Sequence, residues 1–258
     1  MDYARELEVA RNAAAIAGAI TLEYFGRGVA IERKADTSPV TIADRSAEQS
    51  LRKTLEEAFP DDGLLGEEFG EKPGSSGRRW IVDPIDGTQS FIRGVPLYGV
   101  LIGLEEAGRP VVGVMGLPAL GVTYWAARGG GTFRNGERVR VSAVTRLADA
   151  TVVSSDAKPQ GFGDKYGRFE SLLRAAGLYR GWGDCYGYGL VAAGQADVMI
   201  DPIVSPWDVA AILPILEEAG GRFVDWNGEP NIYGGSGIGA PAALVDQVLE
   251  LLGPKAEQ

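Results

Sequence analysis

Hydrophobic positions along this chain change period several times, and each change marks an element. Between residues 2 and 25, Val9, Ala13, Ile16 and Ile20 recur at alternating four- and three-residue steps, which predicts an amphipathic helix with that face buried. Gly26 and Gly28 end it. A polar stretch through Lys34, Asp36 and Pro39 follows, and Thr41-Ile42-Ala43-Asp44 opens a second helix that runs to about Ala58. From residue 80 to 141 the period shortens to that of strands. Runs at 80–82, 97–104, 110–117, 122–127 and 138–141, separated by Gly, Pro and Asn-Gly turns, predict an antiparallel sheet. Asn135-Gly136 predicts a hairpin there, because both residues tolerate positive φ.

After about residue 142 short strands alternate with helices. A strand is expected at 150–154, a helix near 165–176, another over Gly183–Ala193, and a strand over Asp197–Ile200. The segment from Trp207-Asp208 to Glu217-Glu218 reads as a helix with glycine just past its end, and Pro214 inside it predicts a kink or an early break. Two tightly packed halves follow: an α+β part over 1–141 and an α/β part over 142–258. No repeat, low-complexity tract or flexible linker separates them.

Composition narrows the function. With 258 residues, 45% hydrophobic and 23% charged, the chain can bury a large core or two modest ones. A formal charge of −10 argues against nucleic acid or an anionic membrane as partner, since both require clustered Lys and Arg. Cys185 is the only cysteine, so no intrachain disulfide can form, and the N-terminus reads as neither a signal sequence nor a spanning segment; the expected compartment is the cytoplasm. There is no histidine. That removes the commonest general base, the usual zinc ligand and every Ser-His or Cys-His scheme, and leaves oxygen chemistry.

The acidic residues supply that chemistry. Trp80-Ile81-Val82 reads as a buried strand end, and Pro84 with Gly87 turns the chain directly beyond it, so Asp83 and Asp86 share one tight loop. Glu67 and Glu68 upstream, and Asp208 far downstream, are the other candidates. Carboxylates gathered at such a point repel one another and lose hydration, so they either protonate or hold cations between them. Hard oxygen donors suit Mg²⁺ or Mn²⁺, and Mg²⁺ commonly partners a substrate phosphate. Structural alternatives exist for each. Asp44 could complete a capping box with Thr41, Asp208 could favour a helix dipole, and Glu67-Glu68 could be a solvated loop.

Taken together, Gly66-Glu67-Glu68, Asp83-Pro84-Ile85-Asp86-Gly87-Thr88 followed by Phe91, and Trp207-Asp208-Val209-Ala210-Ala211 with Glu218-Ala219-Gly220-Gly221 resemble the inositol monophosphatase superfamily almost from end to end. The resemblance implies a layered αβαβα sandwich, metal-dependent phosphomonoester hydrolysis and a common homodimeric state. It implies that Glu67, Asp83 and the Ile85 carbonyl hold one metal, that Asp83, Asp86 and Asp208 hold a second, and that Asp44 hydrogen-bonded to Thr88 orients the attacking water. Asp44 thereby moves from a purely capping role to the site, and one carboxylate can serve both. Gly87 and Thr88 amides would face the phosphate, and two or three cations would neutralise it.

Within the family, the segments Ser90–Gly99, Gly183–Tyr188, Asp225-Trp226 and Ile232–Gly235 are most similar to the histidinol-phosphate phosphatase branch. That implies L-histidinol phosphate as the small phosphorylated alcohol, with Asp184 and Asp201 meeting its cationic groups. Asp184 could equally be a helix cap and Asp201 a turn residue before Pro202. Ile238-Gly239-Ala240-Pro241 departs from the family's usual segment and puts a substrate contact there in doubt. A phosphatase for inositol or another sugar phosphate, and a non-catalytic regulatory protein of the same fold, are the competing readings.

Overall fold

The structure is a computed structural model that describes residues 3–28, 30–33 and 39–253; residues 34–38 of the polar stretch lie outside them. The first half comprises α1 (Ala4–Tyr24), the short pair β1 (Glu32–Arg33) and β2 (Pro39–Val40), α2 (Ile42–Ala58), β3 (Gly63–Gly66), β4 (Gly70–Lys72), β5 (Arg78–Asp86) and the single turn α3 (Thr88–Phe91). An antiparallel run follows: β6 (Gly99–Glu106), β7 (Arg109–Leu117), β8 (Val122–Ala127), β9 (Gly131–Arg134) and β10 (Glu137–Val139). The second half comprises β11 (Thr151–Ser154), α4 (Pro159–Phe162), α5 (Tyr166–Ala175), β12 (Leu178–Arg180), α6 (Asp184–Ala192) and β13 (Val198–Asp201). It closes with α7 (Pro206–Val209), α8 (Ile212–Glu218), β14 (Gly221–Val224), β15 (Gly237–Pro241) and α9 (Ala242–Leu252).

An eight-stranded sheet runs β10-β9-β8-β7-β6-β5-β3-β4, antiparallel except where β3 lies parallel to β5. A five-stranded mixed sheet runs β12-β11-β13-β15-β14. Side-chain alternation decides what covers each face. Trp80, Val82, Val100, Ile102, Val112 and Val114 bury one face of the large sheet under α1 and α2. Ile81, Leu101 and Met115 turn the other way, onto α6, α7 and α8, where Met199 and Phe223 of the small sheet meet the same helices. Val152, Val198, Ile200 and Val224 cover the far side of the small sheet with α5 and α9. The result is the αβαβα layering expected from the sequence. Among the described residues, no helix is long and apolar enough to cross a membrane.

Several local expectations need adjustment. In α1 the buried face is Ala10, Ala13, Ala14, Ala17, Gly18 and Thr21, while Ile16 is exposed. Ala13 is buried as expected and Val9 and Ile20 pack at the edge of the same core, but the closest approach to the sheet is made by small residues. Asn135 and Gly136 do adopt positive φ between β9 and β10. Ile238–Pro241 forms the buried core of β15, which accounts for its apolar character as sheet packing.

The break at Pro214 is real and useful. Proline cannot donate to the Ala210 carbonyl, and the segment divides into α7 and α8 with Ala210 and Ala211 between them. The buried Ala210–Ala211 backbone presses on the large sheet. A Cβ at Gly103 would lie 2.7 Å from Ala210, and one at Gly113 would lie 2.1 Å from the Ala211 oxygen, so only glycine fits at either position. This contact fixes how far α7 stands from β5. Gly113→Ala is therefore expected to lower the urea unfolding midpoint by the equivalent of about 1–3 kcal/mol, as overpacking does. Gly116→Ala, whose added carbon would meet only Ala14 at 3.9 Å, should leave the midpoint nearly unchanged in the same measurement.

Candidate metal centre

The ladder between β5 and β6 is regular up to Asp83 opposite Leu101, then irregular until Asp86 opposite Gly99. Pro84 has no amide to contribute in this gap. Asp83 and Asp86 bracket the irregularity, and Gly87 at φ 81 turns the chain into α3. Gly87 has little alternative: a Cβ would lie 3.0 Å from the Leu97 oxygen and 3.1 Å from Asp184 Oδ2.

Asp208 arrives from the second half. Ser205 caps α7, and its amide donates to Asp208 Oδ2 at 2.7 Å in a capping box. The cap holds the carboxylate at the helix start, where the α7 contact with the sheet brings it to β5. One oxygen each of Asp83, Asp86 and Asp208 then lies within 4.8 Å of the others. Glu67 stands at the edge of this trio, close enough to raise the pKa of both Asp83 and Asp208.

Burial first, then the mutual repulsion of these carboxylates, drives their proton affinities up. Asp83 is held well above the usual carboxylate range by burial, Glu67, Asp86 and Asp208, and Asp86 by burial, Asp184 and Asp208. Asp208 is raised to about 7, mainly by burial. Amides offset only part of this: Ile85 N donates to Asp83 Oδ1 at 2.9 Å and Cys185 N to Asp86 Oδ2 at 2.5 Å. A cluster built from oxygen donors, buried and short of positive charge, fits a hard divalent cation.

Asp44 begins α2 beneath this loop, where neighbouring Ala43 packs with Ile85 and Phe91. Its Oδ2 accepts from the Thr41 amide at 2.7 Å and the Thr41 hydroxyl at 2.6 Å, so the capping box is present. Its Oδ1 is buried and has no hydrogen-bond partner. The expected bond between Thr88 and Asp44 is not made. The Thr88 hydroxyl instead donates to the Ile85 carbonyl at 3.0 Å, the nearer acceptor within its own turn, so Ile85 and Thr88 are bonded to each other. Burial raises the Asp44 pKa, with the Glu68 charge adding a smaller push.

Beside the trio, a cavity of about 60 Å³ is lined by Asp86, Asp184, Asp201, Asp208 and Ser155. Asp184 occupies the first position of α6 at φ 52, and its amide donates to Ser155 Oγ at 2.7 Å. The same serine hydroxyl donates to Asp201. Asp201 ends β13 opposite Gly237 and is not a simple turn residue; burial raises its pKa to about 7. Tyr188, buried beside Asp201, has a hydroxyl without a well-formed hydrogen bond. Sequence reasoning missed Ser155, which carries no motif, and gave Tyr188 no role beyond its place in the Gly183–Tyr188 segment. It also missed Glu48, although an acid four residues after Asp44 on the apolar face of α2 was a usable signal. Glu218 of the downstream signature lies elsewhere, accepting from the Gly129 and Gly131 amides at 2.7 and 2.8 Å.

These raised affinities set the pH behaviour of the metal-free protein. Asp201 and Asp208 remain protonated in the folded state up to about 7, whereas unfolded aspartates ionise near ~3.9. Between those values the unfolded chain binds fewer protons, so folding stability falls as pH rises. Urea midpoints of chelator-treated protein should decline from about pH 4 to pH 7, and saturating Mg²⁺ should reduce that decline.

The chain was compared with known proteins. It is 50% identical over 234 residues to a histidinol-phosphatase of Chlorobaculum parvum, covering 90% of each chain. It is 43% identical to a histidinol-phosphatase of Mycobacterium tuberculosis over 86% of this chain and 87% of that one. Among solved structures, the extragenic suppressor protein suhB of Bartonella henselae superposes with a TM-score of 0.91 at 30% identity, over 98% of this chain and 100% of that one. An inositol monophosphatase of Zymomonas mobilis gives 0.87 at 34% identity, over 98% and 99%. The inositol monophosphatase family profile matches residues 2–257, and the chain belongs to that family.

Proposed function

We propose that this protein is a Mg²⁺-dependent phosphomonoesterase that hydrolyses L-histidinol phosphate to L-histidinol and phosphate. The observation that carries the reading is the convergence of Asp83, Asp86 and Asp208 beside a cavity walled by Asp184 and Asp201. The histidinol-phosphatases among its relatives support the substrate. In this reading residues 1–141 supply Glu67, Asp83, Ile85 and Asp86, and residues 142–258 supply Asp208 and the substrate-facing carboxylates. Mg²⁺ is the proposed ion, with Mn²⁺ as a workable substitute, and a cytoplasmic homodimer is the proposed assembly.

Bound divalent ions supply the positive charge that offsets the phosphate dianion and makes water a better nucleophile near neutral pH. The chain's own groups do the rest. Asp83, Asp86, Asp208 and Glu67, with the Ile85 carbonyl, would hold the cations. Asp44 Oδ1, buried and unpartnered, is the open acceptor that takes a hydrogen from the attacking water, with the Thr88 hydroxyl as the second orienting group. Gly87 and Thr88 amides point their dipoles at the phosphate oxygens. The leaving alcohol exits towards Asp184 and Asp201, whose carboxyl groups hydrogen-bond its ammonium and imidazole.

Asp83→Asn removes one carboxylate of the trio and the repulsion it causes. Phosphate release should fall by roughly 10²–10³-fold, the scale of losing one strong electrostatic stabiliser, while the unfolding midpoint of the metal-free variant should rise. Near-normal turnover would exclude the scheme. A substrate panel with purified protein should show faster hydrolysis of histidinol phosphate than of myo-inositol 1-phosphate. Asp184→Asn should shift that kcat/KM ratio towards the inositol compound by roughly tenfold or more, the worth of a charged hydrogen bond. Preference for the inositol compound in the unmodified protein would defeat the substrate assignment.

A further inference from the structure

Glu48 is fully buried at 0% exposure, yet it lies in the first half of α2, outside the carboxylate cluster. Its oxygens reach the turn between β3 and β4. Oε2 accepts from the Glu68 amide at 2.7 Å, and Oε1 accepts from the Phe69 amide at 3.2 Å. Arg52, one helical turn on, donates Nε to Oε1 at 2.8 Å and Nη2 to the Gly70 carbonyl at 2.5 Å. One ion pair on α2 thus grips the 68–70 backbone at three points. Gly66 closes the grip from the other side: a Cβ there would lie 2.0 Å from Glu48 Oε1. Glu67 is the residue enclosed.

A buried ion pair adds little net stability compared with apolar packing of the same volume. What it does supply is a fixed backbone position, because charge-assisted bonds to three consecutive residues leave the turn one geometry. Asp44 and Glu48 are four residues apart and both buried, so the helix that presents Asp44 also sets the turn presenting Glu67.

We propose that Glu48 is a positioning residue that holds Glu67 towards Asp83 and Asp208, thereby tuning divalent-cation affinity. The proposal rests on the reading of Glu67 as a metal ligand. Outer-shell partners of this kind are worth roughly 10–100-fold in metal affinity.

Calorimetric titration of chelator-treated protein with Mn²⁺ tests it, well below the unfolding temperature. Glu48→Gln keeps the shape but loses the charge, and Gly66→Ala drives the Glu48 carboxylate off the turn while leaving residue 48 a glutamate. Each should weaken Mn²⁺ binding by roughly 10–100-fold. In a Glu67→Ala background, Glu48→Gln should have almost no further effect, since the two act through one group. Should Glu48→Gln fail to fold, Gly66→Ala carries the same comparison. A Glu48→Gln protein with a lowered unfolding midpoint but unchanged Mn²⁺ affinity would overturn the proposal, as would an equal loss with and without Glu67. If Glu67→Ala alone leaves Mn²⁺ binding intact, the ligand reading itself fails and takes this inference with it.

Discussion

Enforced proximity of like charges is the constraint on which the rest of this structure depends. Three carboxylates, Asp83 buried and Asp86 and Asp208 half-buried, meet within 4.8 Å, an arrangement that ionised groups alone would resist. The surrounding layers have to hold it. Tight packing on both faces of the large sheet and the glycine contacts at Gly103 and Gly113 that seat the α7–α8 break do so, and the Cys185 amide of the second half donates directly to Asp86 of the first. Stability spent against repulsion in this way is recovered when a cation enters.

The carboxylates are aimed by ordinary local structure. Asp44 and Asp208 each sit in the third position of a capped helix, each giving Oδ2 to the cap amide. Capping fixes the side chain through one oxygen; in Asp44 the other, Oδ1, is left buried without a partner. At Asp208 a capping box and a place in the acidic trio coexist in one residue. Ser155 works similarly beside the neighbouring cavity, donating to Asp201 and accepting from the Asp184 amide, so that one hydroxyl orders two acids from different elements.

Much of the fold was legible in the chain. Strand runs in the large sheet, the Asn135-Gly136 hairpin and the interruption at Pro214 depend on local preference, and they formed where those preferences placed them. Ile16 was misplaced on the inward face of α1 because apolar size does not reveal how closely a helix approaches a sheet. The Thr88 hydroxyl was likewise assigned to Asp44, when the Ile85 carbonyl of its own turn was nearer.

By itself, the sequence determined the chemistry: no histidine, acids flanking a strand end, and motifs shared with one family. These depend on residue type and short spacing, which survive in one dimension. Tertiary structure alone decided which acids meet. Asp208 reaches Asp83 through the depth of a helix against two glycines, and Glu48 reaches the Glu67 turn across the face of α2. Such distances arise from packing between elements remote in the chain, and no local pattern encodes them.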